Sequence, residues 1–436
     1  QLLITGTQAL VKSSLVRRYI DNLNGLKTAG FISGYRGSPL GAFDQQLNKA
    51  SSFLKENHIV FNPGLNEELA ATSIWGTQQI QFHSKQLYDG VFGIWYGKGP
   101  GVDRSGDALR HGNLAGTNPF GGVICLMGDD HTCESSTTAH QSEFAFVDAM
   151  IPILSPSNVK ELLDFCVLGI ELSRRSGCWV GIKCVKDIMD ASSIIDFSID
   201  SLLDASKVKL KNNDVNIKWP DTALDQEERL HNLKIPLAKD LIKDYKFNKI
   251  IKKSSNDKVG IVSTGKSYPE VISALQKLNI NIESLDKYNV SLLKIGCPWP
   301  LEKDIIEEFS NNLDIVVVVE EKRSLVEFQI KELLYNYQKK PLIIGKKNLD
   351  GSELFRSNGS ITVNDIYEKL SLIFDKLVNF NVCGISQISN PFLVIFEIVK
   401  ETPFIKIDAF SISIFLYFLS ILNSKILDAL FLEILI

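Results

Sequence analysis

The sequence predicts an α/β protein built on a mostly parallel sheet, and two observations carry that prediction. Compact β-rich apolar runs, most of them bounded by glycine, alternate with stretches whose apolar residues recur at helical spacing, the pattern of strands joined by crossover helices. The segments GYRGSP, GKGPG and GDDHT each follow an apolar run. They therefore lie beyond the carboxyl ends of predicted strands, where open α/β sheets bind their ligands.

In chain order, residues 7–22 carry apolar positions at helical spacing, 29–33 form a short apolar run ending in GYRGSP, and 69–81 are again helical. VFGIWY at 91–96, GGVICLM at 121–127 and CWVGIKC at 178–184 are further predicted strands. These elements group into a first domain, residues 1–195. From 196 to 255 the chain turns polar, with Asp, Lys and Asn clusters and breaks at Pro220 and Pro236; it reads as a linker or peripheral extension. A smaller α/β domain follows over 256–375. It is written as KVGIVS, a helix at 269–278, VSLLKI, a helix at 301–309, DIVVVVEE, a helix at 325–337 and PLIIG. Residues 376–436 differ from the rest, with no glycine after Gly384 and mostly Ile, Leu, Phe and Ser from Phe404 onward. The longest uncharged run there is shorter than the roughly 18 to 20 residues of a membrane span. The expectation for this tail is a truncated or out-of-frame end.

Composition narrows the function. The 436 residues are 44% hydrophobic and 22% charged, ordinary for a globular chain of roughly three domains. With 47 basic against 51 acidic residues there is no overall positive field, so no nucleic-acid partner is expected. Seven cysteines without a Cys-x-x-Cys pair read as neither a disulfide framework nor a zinc or iron–sulfur site, which fits a reducing cytosol. The chain opens on Gln1 with no basic-then-apolar leader, so the expectation is a cytoplasmic protein lacking its true N-terminus.

GIVSTGKS at 260–267 satisfies the phosphate-loop pattern, with VVVVEE downstream. A phosphate loop follows its strand, however, and here Ile261 and Val262 would have to lie in the loop. The economical reading places Gly260 inside a strand, and an ATPase module is the alternative. GKGPG imitates a dinucleotide fingerprint, but Val102 stands where the third glycine belongs. DDHTCESSTTAHQSE at 129–143 crowds acids, two histidines and a cysteine behind a strand without the spacing of a metal helix, so no metal ligands are assigned. It reads as a polar loop facing an active site, with His140 the proton carrier because imidazole titrates near neutrality. NPGLNEELAATSIWGTQQ puts Glu67 and Glu68 at the start of a helix, where acids also serve to complement the helix dipole.

Taken together, TAGFISGYRGSPLGAFD, FNPGLNEELAATSIWGTQQ, DGVFGIWYGKGPGVDRSGDALRHGNLAGT, GDDHTCESSTTAHQSEFAFVDAMIP and SGCWVGIKCVKD resemble the single-chain indolepyruvate ferredoxin oxidoreductases. These are members of the thiamine-diphosphate-dependent 2-oxoacid:ferredoxin oxidoreductases. The resemblance runs from Gly6 to about Asp187 and more loosely over 256–375. It implies the thiamine-diphosphate-binding fold, with a pyrimidine-binding domain followed by a smaller domain like the transketolase C-terminal domain.

The same resemblance implies site residues. Glu67 matches the carboxylate that hydrogen-bonds the cofactor pyrimidine and favours its imino tautomer. Ser38, between Gly37 and Pro39, matches a hydroxyl residue lying near cofactor and substrate. Arg36, Arg104 and Arg110 are candidates for the fork that grips a 2-oxo acid carboxylate, and His111 is a weaker one. GDD at 128–130 lacks the third glycine of a Gly-Asp-Gly diphosphate motif. Mg²⁺, the diphosphate site, the iron–sulfur ligands and the coenzyme A site are therefore expected in domains or partners outside this chain. The implied reaction converts an aryl 2-oxo acid, coenzyme A and oxidised ferredoxin to an aryl-acetyl-CoA, carbon dioxide and reduced ferredoxin. The implied assembly is a homodimer, and this chain alone is expected to be inactive. The alternatives are a transketolase- or decarboxylase-type thiamine enzyme and a non-catalytic assembly module.

Overall fold

The computed structural model describes residues 1–206 and 214–377. The first eight strands are β1 (Leu2–Thr5), β2 (Thr28–Gly34), β3 (Ile59–Phe61), β4 (Gly90–Lys98), β5 (Val123–Asp129), β6 (Ile153–Leu154), β7 (Val180–Val185) and β8 (Ser192–Ile195). Six of them form a wholly parallel sheet in the order β3-β2-β4-β5-β7-β6. β1 and β8 form a separate antiparallel pair. The central strands are buried along nearly their whole length, which is why they read as continuous apolar runs rather than as alternating ones.

Register decides what meets at the carboxyl edge. Gly34 pairs with Tyr96, Lys98 with Gly128 and Asp129 with Val185. The segments after β2, β4 and β5 therefore emerge side by side, as the sequence predicts for GYRGSP, GKGPG and GDDHT. The loop before the helix Glu67–Thr77 is tied to the same edge, because the Gly64 N–H donates to the Gly34 carbonyl at 2.9 Å.

One face of the sheet is covered by the helices Gly6–Leu23 and Val159–Ser176. A buried charge network runs between them. Arg17 Nη1 donates to Glu171 Oε2 at 2.9 Å, and Arg174 holds both oxygens of Asp21 at 2.9 and 3.0 Å. Thr28 Oγ1 donates to Asp21 at 2.7 Å and links the network to β2.

The remaining strands are β9 (Lys249–Lys252), β10 (Val259–Thr264), β11 (Val290–Ile295), β12 (Ile315–Val319) and β13 (Leu342–Ile344). Their order is β13-β12-β10-β11-β9, with β9 antiparallel at the edge. The helix Val363–Leu377 closes the described chain. Residues Gln1–Phe374 form one compact unit; the anomalous tail lies outside the described residues from 378 onward.

The polar stretch at 196–255 is more structured than its composition suggests. It contains the helices Ala223–Arg229 and Ile235–Asp244 and contributes β9 to the second sheet. Ile235, Ala238, Leu241 and Ile242 are buried, so one face of the second helix is apolar. Pro236 falls in its first turn, where a missing N–H costs nothing. It marks a helix start rather than a break.

Candidate active site

Glu67 is the first residue of the helix Glu67–Thr77, whose cap is Asn66, accepting from the Leu69 N–H at 2.8 Å. The side chain is 5% exposed, whereas neighbouring Glu68 points to solvent. Trp95 fixes the turn, its Nε1–H donating to the Glu67 carbonyl at 2.9 Å. The carboxylate itself lies against two glycines. A Cβ on Gly97 would stand 3.2 Å from Glu67 Cγ, and one on Gly101 would stand 2.3 Å from Oε1. Among the described residues the Glu67 carboxylate has no hydrogen-bond or ion-pair partner. Neither carboxylate oxygen is among the buried atoms that lack a partner, so the oxygens open toward solvent at this edge, where a ligand can meet them.

The Ser38 loop adjoins this seat. Ser38 and Gly37 are half-buried and Pro39 is buried. Ser38 Oγ meets Ser135 Oγ, and Ser136 Oγ donates to the Ser38 carbonyl at 3.3 Å, so the loop after β2 is bonded to the loop after β5. Gly128 lets Pro39 and Leu40 approach, since a Cβ there would lie 3.0 Å from Pro39 Cδ.

His140 lies against Gly99, where a Cβ would come within 2.2 Å of its ring. Nε2 is 2.9 Å from Asp103 Oδ2, Nδ1 is 3.2 Å from Ser142 Oγ, and Asp129 Oδ1 is 3.7 Å from Nδ1. Asp129, fully buried, also accepts from the Ser142 N–H at 2.9 Å. The Asp129 carboxylate, then Asp103, outweighs burial and raises the His140 pKa to about 9. The sequence-based expectation of titration near neutrality is thereby corrected: His140 is a held cation at pH 7.

The arginines divide. Arg36 is exposed in the loop that carries Ser38, and Arg104 is exposed at the end of the short helix Gly99–Arg104 that carries Gly101. Arg110 is taken: Nη1 donates to the Asp148 carbonyl at 3.0 Å and Nη2 engages its carboxylate. The expected fork for a substrate is in this case a surface pair. His111 stacks on Trp75 at 5.9 Å between centroids, also at the surface.

The GKS segment is not a phosphate loop. Gly260, Ile261 and Val262 lie within β10, and Lys266 Nζ is occupied by Glu270 at 2.6 Å, Ser360 at 2.8 Å and Glu321 at 3.2 Å. Glu320 accepts from the N–H groups of Leu325, Val326 and Glu327, capping the next helix. Lys266, Glu270 and Ser360 instead wall a cavity of about 480 Å³ together with Asp130 and Lys186. Among the described residues no group of three or more His, Cys, Asp or Glu could hold a metal ion. Nor is any described helix long and apolar enough to cross a membrane.

Two contributors escaped the sequence reading. The Lys98 stem lies against Gly37, and Gly97 with Gly101 forms the seat of Glu67. The available signal was the density of glycine in GKGPG, which a dinucleotide fingerprint does not explain and a close approach of side chains does.

Residues 249–381 match the family model described as "Indolepyruvate oxidoreductase domain". "Indolepyruvate oxidoreductase subunit IorA" of Methanothermobacter marburgensis is 24% identical over 330 residues, covering 76% of this chain and 48% of the relative. The protein of the same name from Pyrococcus horikoshii is 25% identical over 339 residues, covering 76% and 47%. The chain is a relative of the indolepyruvate oxidoreductases. It spans about half the length of the curated relatives it matches. Among solved structures, a 2-oxoglutarate:ferredoxin oxidoreductase from Magnetococcus marinus superposes with a TM-score of 0.59 at 14% identity, covering 86% of this chain and 65% of that one. A split-gene transketolase, described as an inactive beta4 tetramer, gives 0.50 at 13% identity, covering 84% and 98%. The shared α/β fold is the one thiamine-diphosphate enzymes use.

Proposed function

We propose that this indolepyruvate oxidoreductase relative supplies the pyrimidine-binding half of a thiamine-diphosphate site. The proposed reaction takes an aryl 2-oxo acid such as indolepyruvate to its acyl-CoA, with carbon dioxide released and electrons passed to ferredoxin. One observation carries the reading: Glu67 is buried, has no partner among the described residues and is seated between two glycines at the carboxyl edge of the sheet. That cradle suits the pyrimidine end of the cofactor. The diphosphate end with its Mg²⁺ is assigned to residues beyond the described ones, and the iron–sulfur centres to further domains or partner subunits.

Thiamine diphosphate, when bound, supplies the carbanion chemistry that releases carbon dioxide from a 2-oxo acid. This chain's own part is proton handling and positioning. Glu67 would hold the pyrimidine ring through a hydrogen bond from its carboxyl group, which would favour the tautomer whose amino nitrogen serves as a base. Ser38, flanked by Gly37 and Pro39, offers a hydroxyl at the same edge. His140, paired with Asp103 and Asp129, fixes the loop after β5 against Gly99. Arg36 and Arg104, both exposed, are the arginines free to meet an anionic substrate. Leu65 and Leu69, immediately before and within the helix that carries Glu67, are 87% and 49% exposed, an apolar rim that suits closure by a second protein surface. A homodimer or the remaining domains of the same enzyme would supply it.

The test compares Glu67→Gln with Glu68→Gln in the active enzyme containing this chain. Glu67→Gln is expected to lower the rate by about 10²-fold or more, as loss of a positioned acid–base group does, while Glu68→Gln stays near wild type. Equal losses, or a near-normal rate for Glu67→Gln, would remove the assignment.

A further inference from the structure

We infer that the second sheet holds the site loop of the first: Lys322 and Arg323, in the turn after β12, are positioning residues for the loop 130–142 that follows β5. The inference rests on the reading of the Glu67 and Ser38 site given above. The two side chains take hold near the two ends of the loop. Lys322 is buried, and its Nζ donates to the His131 carbonyl at 2.6 Å. Arg323 meets Gln141 three times: its backbone N–H and its Nε–H donate to Gln141 Oε1 at 3.2 and 3.1 Å, and Gln141 Nε2 donates back to the Arg323 carbonyl at 3.4 Å. The Arg323 guanidinium also lies over the Phe144 ring, 4.1 Å from its centroid. Between these anchors lie Ser135 and Ser136, which bond Ser38, and His140, which rests on Gly99.

The turn is suited to this task. Lys322 has a φ of 58°, a left-handed conformation that a non-glycine residue adopts at a cost and keeps only where its surroundings fix the chain. Here they do. Glu320 accepts from the N–H groups of Leu325, Val326 and Glu327, and Glu321 accepts from Lys266 Nζ and from the Ile361 N–H. With the backbone turned in this way, the consecutive side chains 322 and 323 both reach one loop, where an extended chain would send them to opposite faces. The loop needs the support. Thr132, Glu134, Ser135 and residues 137–139 are exposed, so little packing of its own holds it, and segments with few buried contacts open most readily. Anchored at both ends, the loop has its freedom removed on folding rather than on binding, and it keeps Ser38 in place at the edge where Glu67 lies.

Hydrogen exchange of the unliganded protein, read by mass spectrometry, tests the anchors without turnover. Arg323→Met, at an exposed position that leaves the fold intact, should raise exchange over 130–142 by about tenfold or more, with the denaturation midpoint near wild type. Lys322→Gly suits the left-handed backbone but removes the ammonium, and it should raise exchange over the same residues. The double variant Arg323→Met with Gln141→Met should exchange no faster than Arg323→Met alone, as expected of two residues that act through one contact. In the active enzyme containing this chain, Arg323→Met should lower kcat for an aryl 2-oxo acid by about fivefold or more and change KM by less than about threefold, the pattern of a misplaced site rather than of lost substrate binding. Wild-type protection in Arg323→Met or in Lys322→Gly, additive effects of Arg323 and Gln141, or faster exchange with an unchanged kcat overturns the assignment; the last would leave these contacts as glue between the two sheets. Failure of the Glu67 reading is distinguishable, because it shows as retained turnover in Glu67→Gln and leaves the exchange result untouched.

Discussion

Gly101 and Glu67 occupy one another's space: a Cβ on residue 101 would lie 2.3 Å from Glu67 Oε1 and 2.6 Å from its Cδ. The backbone following β4 is thus the floor on which the carboxylate rests, and the glycine is required for close approach rather than for an unusual backbone angle. Gly101→Ala should destabilise the chain by about 1–3 kcal/mol through overpacking. Glu67→Asp withdraws the carboxylate by one methylene, so the double variant should recover roughly half of that loss or more, a coupling visible in a double-mutant cycle. Strictly additive denaturation midpoints would mean that the two residues do not touch.

Asp21 anchors the network between the two long helices. Burial by itself raises its pKa, but Arg174 and then Arg17 outweigh burial and bring it down to about 2. A depressed carboxyl contributes stability that is present above its unfolded value of 3.8 and is lost as pH falls through about 2. Asp21→Asn should cost about 3–5 kcal/mol at neutral pH, because it leaves Arg17 and Arg174 buried without their shared partner. Chemical denaturation should show the difference from wild type shrinking between pH 4 and pH 2. A pH-independent difference would contradict the assignment.

His140 has a pKa raised to about 9 by Asp129 and Asp103. Its contribution to stability is therefore complete below about pH 6.5, the ordinary value for histidine, and is lost as pH rises through 9. The stability gap between wild type and His140→Gln should narrow over that window, and an NMR titration of the ring should have its midpoint near 9. A midpoint below 7 would restore His140 as a neutral base.

Lys266 is committed to Glu270, Glu321 and Ser360. Calorimetry should therefore detect no saturable Mg-ATP binding by the chain. Micromolar affinity that disappears in Lys266→Ala would overturn the strand reading of Gly260.

The sequence alone determined the layered α/β architecture, the parallel strands around 29–33, 91–96, 121–127 and 178–184, and the chain order of four of the five strands of the second sheet; β9, its antiparallel edge strand, carries no such signature. Burial on both faces leaves a continuous apolar signature that any register would share. It also marked Glu67 and Ser38, through the resemblance of the segments around them. The helices within 196–255 leave little signature, because a helix needs only one apolar face, and Ile235, Ala238 and Leu241 are diluted there by charged neighbours.

Tertiary structure decided the rest. That Arg110 is spent on Asp148 and that His140 is held charged by Asp129 and Asp103 are facts about neighbours distant in the chain. Local periodicity reports which face of an element is buried, and it is blind to which loops the sheet register brings together. A charge acquires its protonation state and its role from the groups that surround it after folding.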